Sequence, residues 1–176
     1  MRFSFVLASA GLVLSLIFAQ CAHTQEIHEE SIHAEATKLK PFATDGCSMW
    51  IDGTPKHPYL WRHCCVAHDK AYWIGGAEHL RTDADKALQA CVTELVGTGM
   101  GDYMHIGVIM GGSPIWVTPY RWGYGWSYLD NGKPRGYKLL TDAEQAQVAE
   151  LLPQAEAIIA QDALKHPASS TVLTGK

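Results

Sequence analysis

The chain has 176 residues, of which 47% are apolar and 18% charged, with a formal net charge of −4. That length and apolar content suit one folded domain with a core of its own, and exclude a disordered chain. The acidic balance lacks the basic footprint that nucleic-acid binding requires.

Arg2 followed by an apolar run to Ala19 resembles a secretory signal, too short for a comfortable membrane span and followed directly by a polar segment. Residues 1–21 are therefore expected to be a signal peptide, with an uncleaved N-terminal anchor and a lipid-modified Cys21 as the alternatives. An exported protein follows, secreted or periplasmic. A polar lead-in occupies 22–42, a single domain 43–165 and a frayed tail 166–176.

Residues 42–58 are rich in Gly, Asp, Pro and Ser, which is loop composition. A helix is predicted over 59–74, stopped by Gly75-Gly76. A second is predicted from Thr82 as N-cap, with Asp83 and Asp85 in its first turn. Ala84, Leu88, Cys91, Val92 and Leu95 share one face of it. Gly97, Gly99 and Gly101 are expected to break or loosen it, with a shorter helix across 103–110. Residues 111–137 read as an irregular aromatic loop containing Trp116, Trp122 and Trp126. A C-terminal helix starts at Thr141, where Thr141 and Glu144 suit a capping box, and Pro153 predicts a kink. The expected fold class is mainly α.

The chemistry concentrates in His63-Cys64-Cys65-Val66-Ala67-His68-Asp69-Lys70-Ala71-Tyr72. On a helix, Cys64, His68 and Tyr72 share one face, and Cys65 and Asp69 the next. In an antiparallel helix pair the numbers of facing residues add to a nearly constant total. Cys64 with Cys91, His68 with Asp85 and Tyr72 with Asp83 satisfy one total to within two. A Cys64–Cys91 disulfide and a His68–Asp85 contact are thus compatible, with Asp83 as the competing partner. The remaining pairing, Cys47–Cys65, would draw the loop bearing Asp45 against the face bearing Asp69. Two carboxylates with loop carbonyls are hard oxygen ligands that suit Ca²⁺. His68 is the candidate general base, its other nitrogen held by a carboxylate. Zinc on Cys64, Cys65, His68 and Cys91 is the competing metal reading, but adjacent helical cysteines diverge by ~100°. A free Cys64 nucleophile would require an unpaired thiol.

Cys-Cys-x-x-His-Asp-x-x-Tyr, here Cys64 to Tyr72, resembles the active-site helix of secreted phospholipases A2. Asp85 six residues before Cys91 is similar to their second helix. Thr44-Asp45-Gly46-Cys47-Ser48 with Asp52 is closer to the short calcium loop of the microbial type. The resemblance covers about residues 43–95, and the glycine-rich calcium loop of the animal enzymes is absent.

That resemblance implies calcium-dependent hydrolysis of a glycerophospholipid ester. Asp45, the Gly46 carbonyl and Asp69 would hold Ca²⁺. His68 would act as base, Asp85 as its partner, and Tyr72 would hydrogen-bond the carboxylate. The helix pair would be cross-linked and antiparallel, with the calcium loop laid against it. The aromatic loop has two readings of equal standing: Trp116, Trp122 and Trp126 contact a phospholipid surface, with Arg121 and Arg135 as candidates to touch phosphates, or the rings cap the core beside glycine turns. A catalytically silent membrane- or partner-binding protein is the other class to consider.

Overall fold

The computed structural model describes residues 38–168. The leader at 1–21, most of the lead-in and the end of the tail lie outside the described residues. The architecture is mainly α, as expected. Four helices occur among the described residues: α1 (Arg62–Ile74), α2 (Glu78–Val96), α3 (Thr98–Gly111) and α4 (Asp142–Lys165). A two-stranded antiparallel ribbon, β1 (Leu129–Asp130) and β2 (Lys133–Pro134), lies between α3 and α4. Its Asn131-Gly132 turn has positive φ at both residues, the type I′ geometry that Asn-Gly favours.

The first helix starts three residues later than its apolar pattern suggests. The amides of Leu60 and Trp61 are already taken by the carbonyls of His57 and Asp52, which keeps 59–61 in the loop. At the other end, Gly75 adopts φ +71° and donates its N–H to Ala71. A methyl group on Gly75 would stand 2.8 Å from the Cα of Gly123, so the chain needs glycine there.

α2 begins at Glu78, four residues before the expected Thr82 cap. Thr82 instead returns its hydroxyl to the Glu78 carbonyl at 3.3 Å. The early start places Arg81 within the helix, where burial and four hydrogen-bond partners outweigh a surface cap. Asp83 and Asp85 are therefore interior residues of α2 rather than first-turn acids.

The glycines after α2 also behave differently from expectation. Gly97 ends the helix with φ +91°, but Gly99 and Gly101 lie inside α3. A side chain at Gly101 would meet Thr93 Oγ1 at 2.1 Å and the Gln89 carbonyl at 2.8 Å. Its lack of a side chain lets α3 approach α2 closely. α4 carries the expected capping box, with Glu144 N–H donating to Thr141 Oγ1 at 3.3 Å and Thr141 N–H to Glu144 Oε2 at 2.9 Å. Pro153 lies within that continuous helix.

α1 separates two apolar clusters. Cys64, Cys65, Leu60 and Trp61 pack with Leu88, Val92 and Met104 of α2 and α3. Trp73 packs with Leu39, Phe42, Trp126 and Ala155, the last from α4. Both expected disulfides form, Cys47–Cys65 from loop to helix and Cys64–Cys91 between helices, with Cα separations of 5.0 and 5.8 Å. On the chain-entropy account, each loop closure contributes about 3–4 kcal/mol.

The aromatic segment corrects a surface expectation. Trp122 and Trp126 are buried, their indole N–H groups donating to the carbonyls of Gly76 and Ile74 at 2.9 and 2.8 Å. They satisfy carbonyls at and just beyond the end of α1 that the helix itself leaves open. Only Trp116 of the three remains exposed. Arg121 is likewise buried and donates to the carbonyls of Trp122, Gly123 and Trp126. Arg135 pairs with Glu144 at 2.9 Å and lies over the Trp126 ring, so both arginines face inward, although Arg135 Nη1 and Nη2 make no aligned hydrogen bond.

Candidate active site

One groove of about 290 Å³ collects the conspicuous residues of the motif: Gly46, His68, Asp69 and Tyr72 line it, together with Tyr103 and Met104 of α3. Helical spacing puts Cys64, His68 and Tyr72 on the side of α1 that meets α2. The Cys64–Cys91 bond then fixes the register of the two helices. One turn further along, His68 Nε2 stands 2.9 Å from Asp85 Oδ1.

Asp85 is enclosed. Its Oδ1 also accepts the Tyr72 hydroxyl at 2.7 Å, and Arg81 Nε lies 3.6 Å from Oδ2. Burial, reinforced by the neighbouring Asp85 charge, pushes the Tyr72 hydroxyl far above the usual range, so it stays a donor. Tyr72 pairs with Asp85 rather than with Asp83, which is exposed. The carboxylate thus holds Nε2, and Nδ1 is the imidazole nitrogen that Asp85 does not engage.

Arg81 was not singled out by sequence reasoning. Besides the Tyr72 hydroxyl at 3.0 Å, it donates to Tyr137 Oη and to the carbonyls of Val108 and Ile109. It therefore ties the dyad to the end of α3. Its position four residues before Asp85 was the available signal.

The acidic pair lies on the neighbouring face. The Cys47–Cys65 bond anchors the 44–52 loop one turn before Asp69. Thr44 joins loop and helix: its hydroxyl donates to Asp69 Oδ2 at 2.6 Å and accepts the Gly46 N–H at 3.1 Å. Asp45 is exposed, with its carboxylate accepting the Ser48 hydroxyl at 2.7 Å. Burial pushes the Asp69 carboxyl up to about 7; the Thr44 hydrogen bond opposes this and the Asp45 charge adds to it. Asp52 has a different occupation, accepting the Cys47 N–H at 2.8 Å and pairing with Arg62. Arg62 is the second residue missed, although it lies seven residues before Asp69, on the same face of α1.

The zinc reading fails on sulfur chemistry. Cys64 and Cys65 belong to separate disulfides, so neither offers a thiolate. His63, Cys64 and Cys91 bring their ligand atoms within 4.8 Å of one another, but both sulfurs are bonded to each other. The free-cysteine nucleophile is excluded in the same way.

Comparison with protein-family models, with curated proteins and with solved structures finds no match to this chain. Among the described residues, no helix is long and apolar enough to cross a membrane.

Proposed function

We propose that the protein is an exported, calcium-dependent phospholipase A2-like hydrolase of glycerophospholipid esters, with His68 as general base. The observation that carries this reading is the 2.9 Å His68–Asp85 contact, with His68 and Asp69 lining one groove.

The donor set suits a hard divalent cation. Asp69 is a buried carboxyl whose charge is penalised by burial and by Asp45, a penalty that a bound cation would offset. Asp45, the Gly46 carbonyl and Asp69 would hold it. Bound there, Ca²⁺ would supply electrophilic polarisation of the ester carbonyl oxygen.

The protein's own groups supply the proton transfers. His68 Nδ1 removes a proton from water as the water oxygen bonds to the carbonyl carbon. Asp85 stabilises the resulting imidazolium through Nε2–H, and the Tyr72 hydroxyl fixes the position of that carboxylate. The proton at Nδ1 then passes to the departing alkoxide, and His68 is restored. This dyad also weighs against a purely binding protein, which has no need of an oriented imidazole beside a cation loop.

The lipid-facing surface keeps Trp116 of the three tryptophans first expected and gains residues of the groove and of α3. Met49, Trp50 and Tyr103 are exposed groove residues, and Ile106, Met110 and Trp116 extend the apolar surface along α3 and beyond. Trp116 is tied to this helix end by its indole N–H, which donates to the Met110 carbonyl at 3.1 Å.

Fatty-acid release from mixed phospholipid vesicles, with calcium or with EGTA, tests the reading beside His68→Gln. Release that requires calcium and is lost in the variant is expected. Equal release by the variant would remove His68 from the mechanism, and vesicle binding without any release would favour the silent binder.

A further inference from the structure

We propose that Arg62 is a positioning residue of the cation loop, and that through it the C-terminal helix sets the loop's affinity for the metal. The inference builds on the calcium reading above and extends it to a part of the chain outside the active-site motif.

The Arg62 side chain is only 9% exposed and uses three of its nitrogens on three partners. Nε and Nη2 donate to the two oxygens of Asp162 on α4, at 2.9 and 2.7 Å. Nη1 donates to Asp52 Oδ2 at 2.5 Å and to the Asp45 carbonyl at 2.9 Å. The forked, bidentate pairing is specific to a guanidinium; a lysine ammonium has neither the plane nor the reach to reproduce it.

The consequence falls on three consecutive loop residues. Arg62 holds the Asp45 carbonyl, Thr44 holds the Gly46 N–H, and Asp52 holds the Cys47 N–H. The Gly46 carbonyl, proposed above as a ligand, lies between these pinned groups. Gly46 has φ +87°, and a Cβ there would stand 2.1 Å from Arg62 Nη1 and 2.4 Å from Asp52 Oδ1. Loop and guanidinium are therefore packed directly together. Asp52 and Asp162 also balance the Arg62 charge, which would otherwise oppose a cation bound nearby.

α4 thus reaches the metal loop through one side chain near its C-terminal end. Losing Asp162 frees one end of the clamp and leaves Arg62 with less compensating charge, while His68 and Asp85 keep every contact they have.

Calcium titration calorimetry on the full chain, with hydrogen–deuterium exchange across residues 44–52, tests this on Asp162→Asn, Asp162→Glu and Arg62→Lys. Asp162→Asn and Arg62→Lys are expected to weaken calcium binding about 5- to 20-fold and to speed exchange in the loop. Asp162→Glu should recover most of the affinity. For Asp162→Asn, turnover at saturating calcium should stay within about twofold of the parent, which a general loss of structure would not allow. Calcium affinity and loop exchange both unchanged in a folded Asp162→Asn protein would overturn the proposal. A parent that binds no calcium would defeat the cation reading instead. The exchange measurement would then decide alone whether Arg62 clamps the loop: faster exchange in Asp162→Asn supports the clamp, unchanged exchange overturns it.

Discussion

His68 and Asp85, seventeen residues apart in the chain, meet at 2.9 Å because a disulfide one turn away holds their two helices in register. The Asp85 oxygen that faces the imidazole also accepts the Tyr72 hydroxyl. Orientation and charge compensation of His68 are therefore concentrated on one buried carboxylate.

Asp85→Asn is expected to lower kcat/KM at least 100-fold, because the amide no longer stabilises the imidazolium. Tyr72→Phe should cost less than about tenfold in activity but about 2–3 kcal/mol of stability, since it removes the hydroxyl's bond to Asp85 and the one it accepts from Arg81. Vesicle kinetics and denaturant titration on both variants check the contrast. A larger catalytic loss in Tyr72→Phe than in Asp85→Asn would reverse the assignment.

Asp69 gives a pH dependence of unusual sign. Its folded-state pKa is raised from 3.8 to about 7, so without calcium the folded protein keeps a proton that the unfolded chain releases. Apo stability should therefore fall as pH rises from about 4 to 7 and level off above. Asp69→Asn is expected to be more stable than the parent at pH 8 without calcium, by about 1–3 kcal/mol, and to lose the stabilisation that calcium gives. Thermal melts at pH 5 and 8, with and without the metal, read both effects. An apo variant less stable than the parent at pH 8 would contradict the Asp69 account.

Asp162 and Glu144 have the opposite sign. The Arg62 fork holds Asp162 below its ordinary value. Burial would raise Glu144, but Arg135, the Thr141 amide and Lys138 outweigh it and leave its pKa lowered. Depressed acids contribute stability in full above their unfolded values, near 3.8 and 4.5, and lose it as pH falls through the lower folded values. Glu144→Gln should cost about 2–4 kcal/mol at pH 7, with the gap to the parent closing below pH 4. Denaturation curves across that range measure it, and a gap independent of pH would show that charge is not the cause.

The tryptophans divide by burial. Trp126 is fully buried, so Trp126→Ala is expected to cost about 3–5 kcal/mol. Trp116→Ala, at an exposed position, should change stability by less than about 0.5 kcal/mol yet weaken vesicle binding several-fold. Melts and vesicle sedimentation separate the two. Undiminished vesicle binding by Trp116→Ala would place lipid contact elsewhere.

Fixed helical spacing made the dyad and both sulfur pairings legible in the sequence, since Cys64, His68 and Tyr72 can lie together only on one face. The Thr141 capping box was equally plain because all its parts are local. Tertiary partners governed what was misread. Thr82 is a good cap in isolation, but the buried contacts of Arg81 extend α2 beyond it. Gly101 resembles a helix breaker until a second helix lies against it. The sequence leaves Trp122 and Trp126 open between lipid contact and core capping, because the carbonyls at the end of α1 that decide it are set by tertiary packing. Arg62 was overlooked because its acids come from a loop ten residues on one side and a helix a hundred residues away on the other.

Cys64 and Cys65 are neighbours in the chain but fasten different bodies, one the second helix and the other the acidic loop. A newly made chain whose thiols are still reduced lacks both fastenings at once. The proposed base and the proposed cation loop then have nothing covalent to keep them adjacent. On the proposed reading, oxidation fastens the Asp85-bearing helix and the acidic loop to one short stretch of α1.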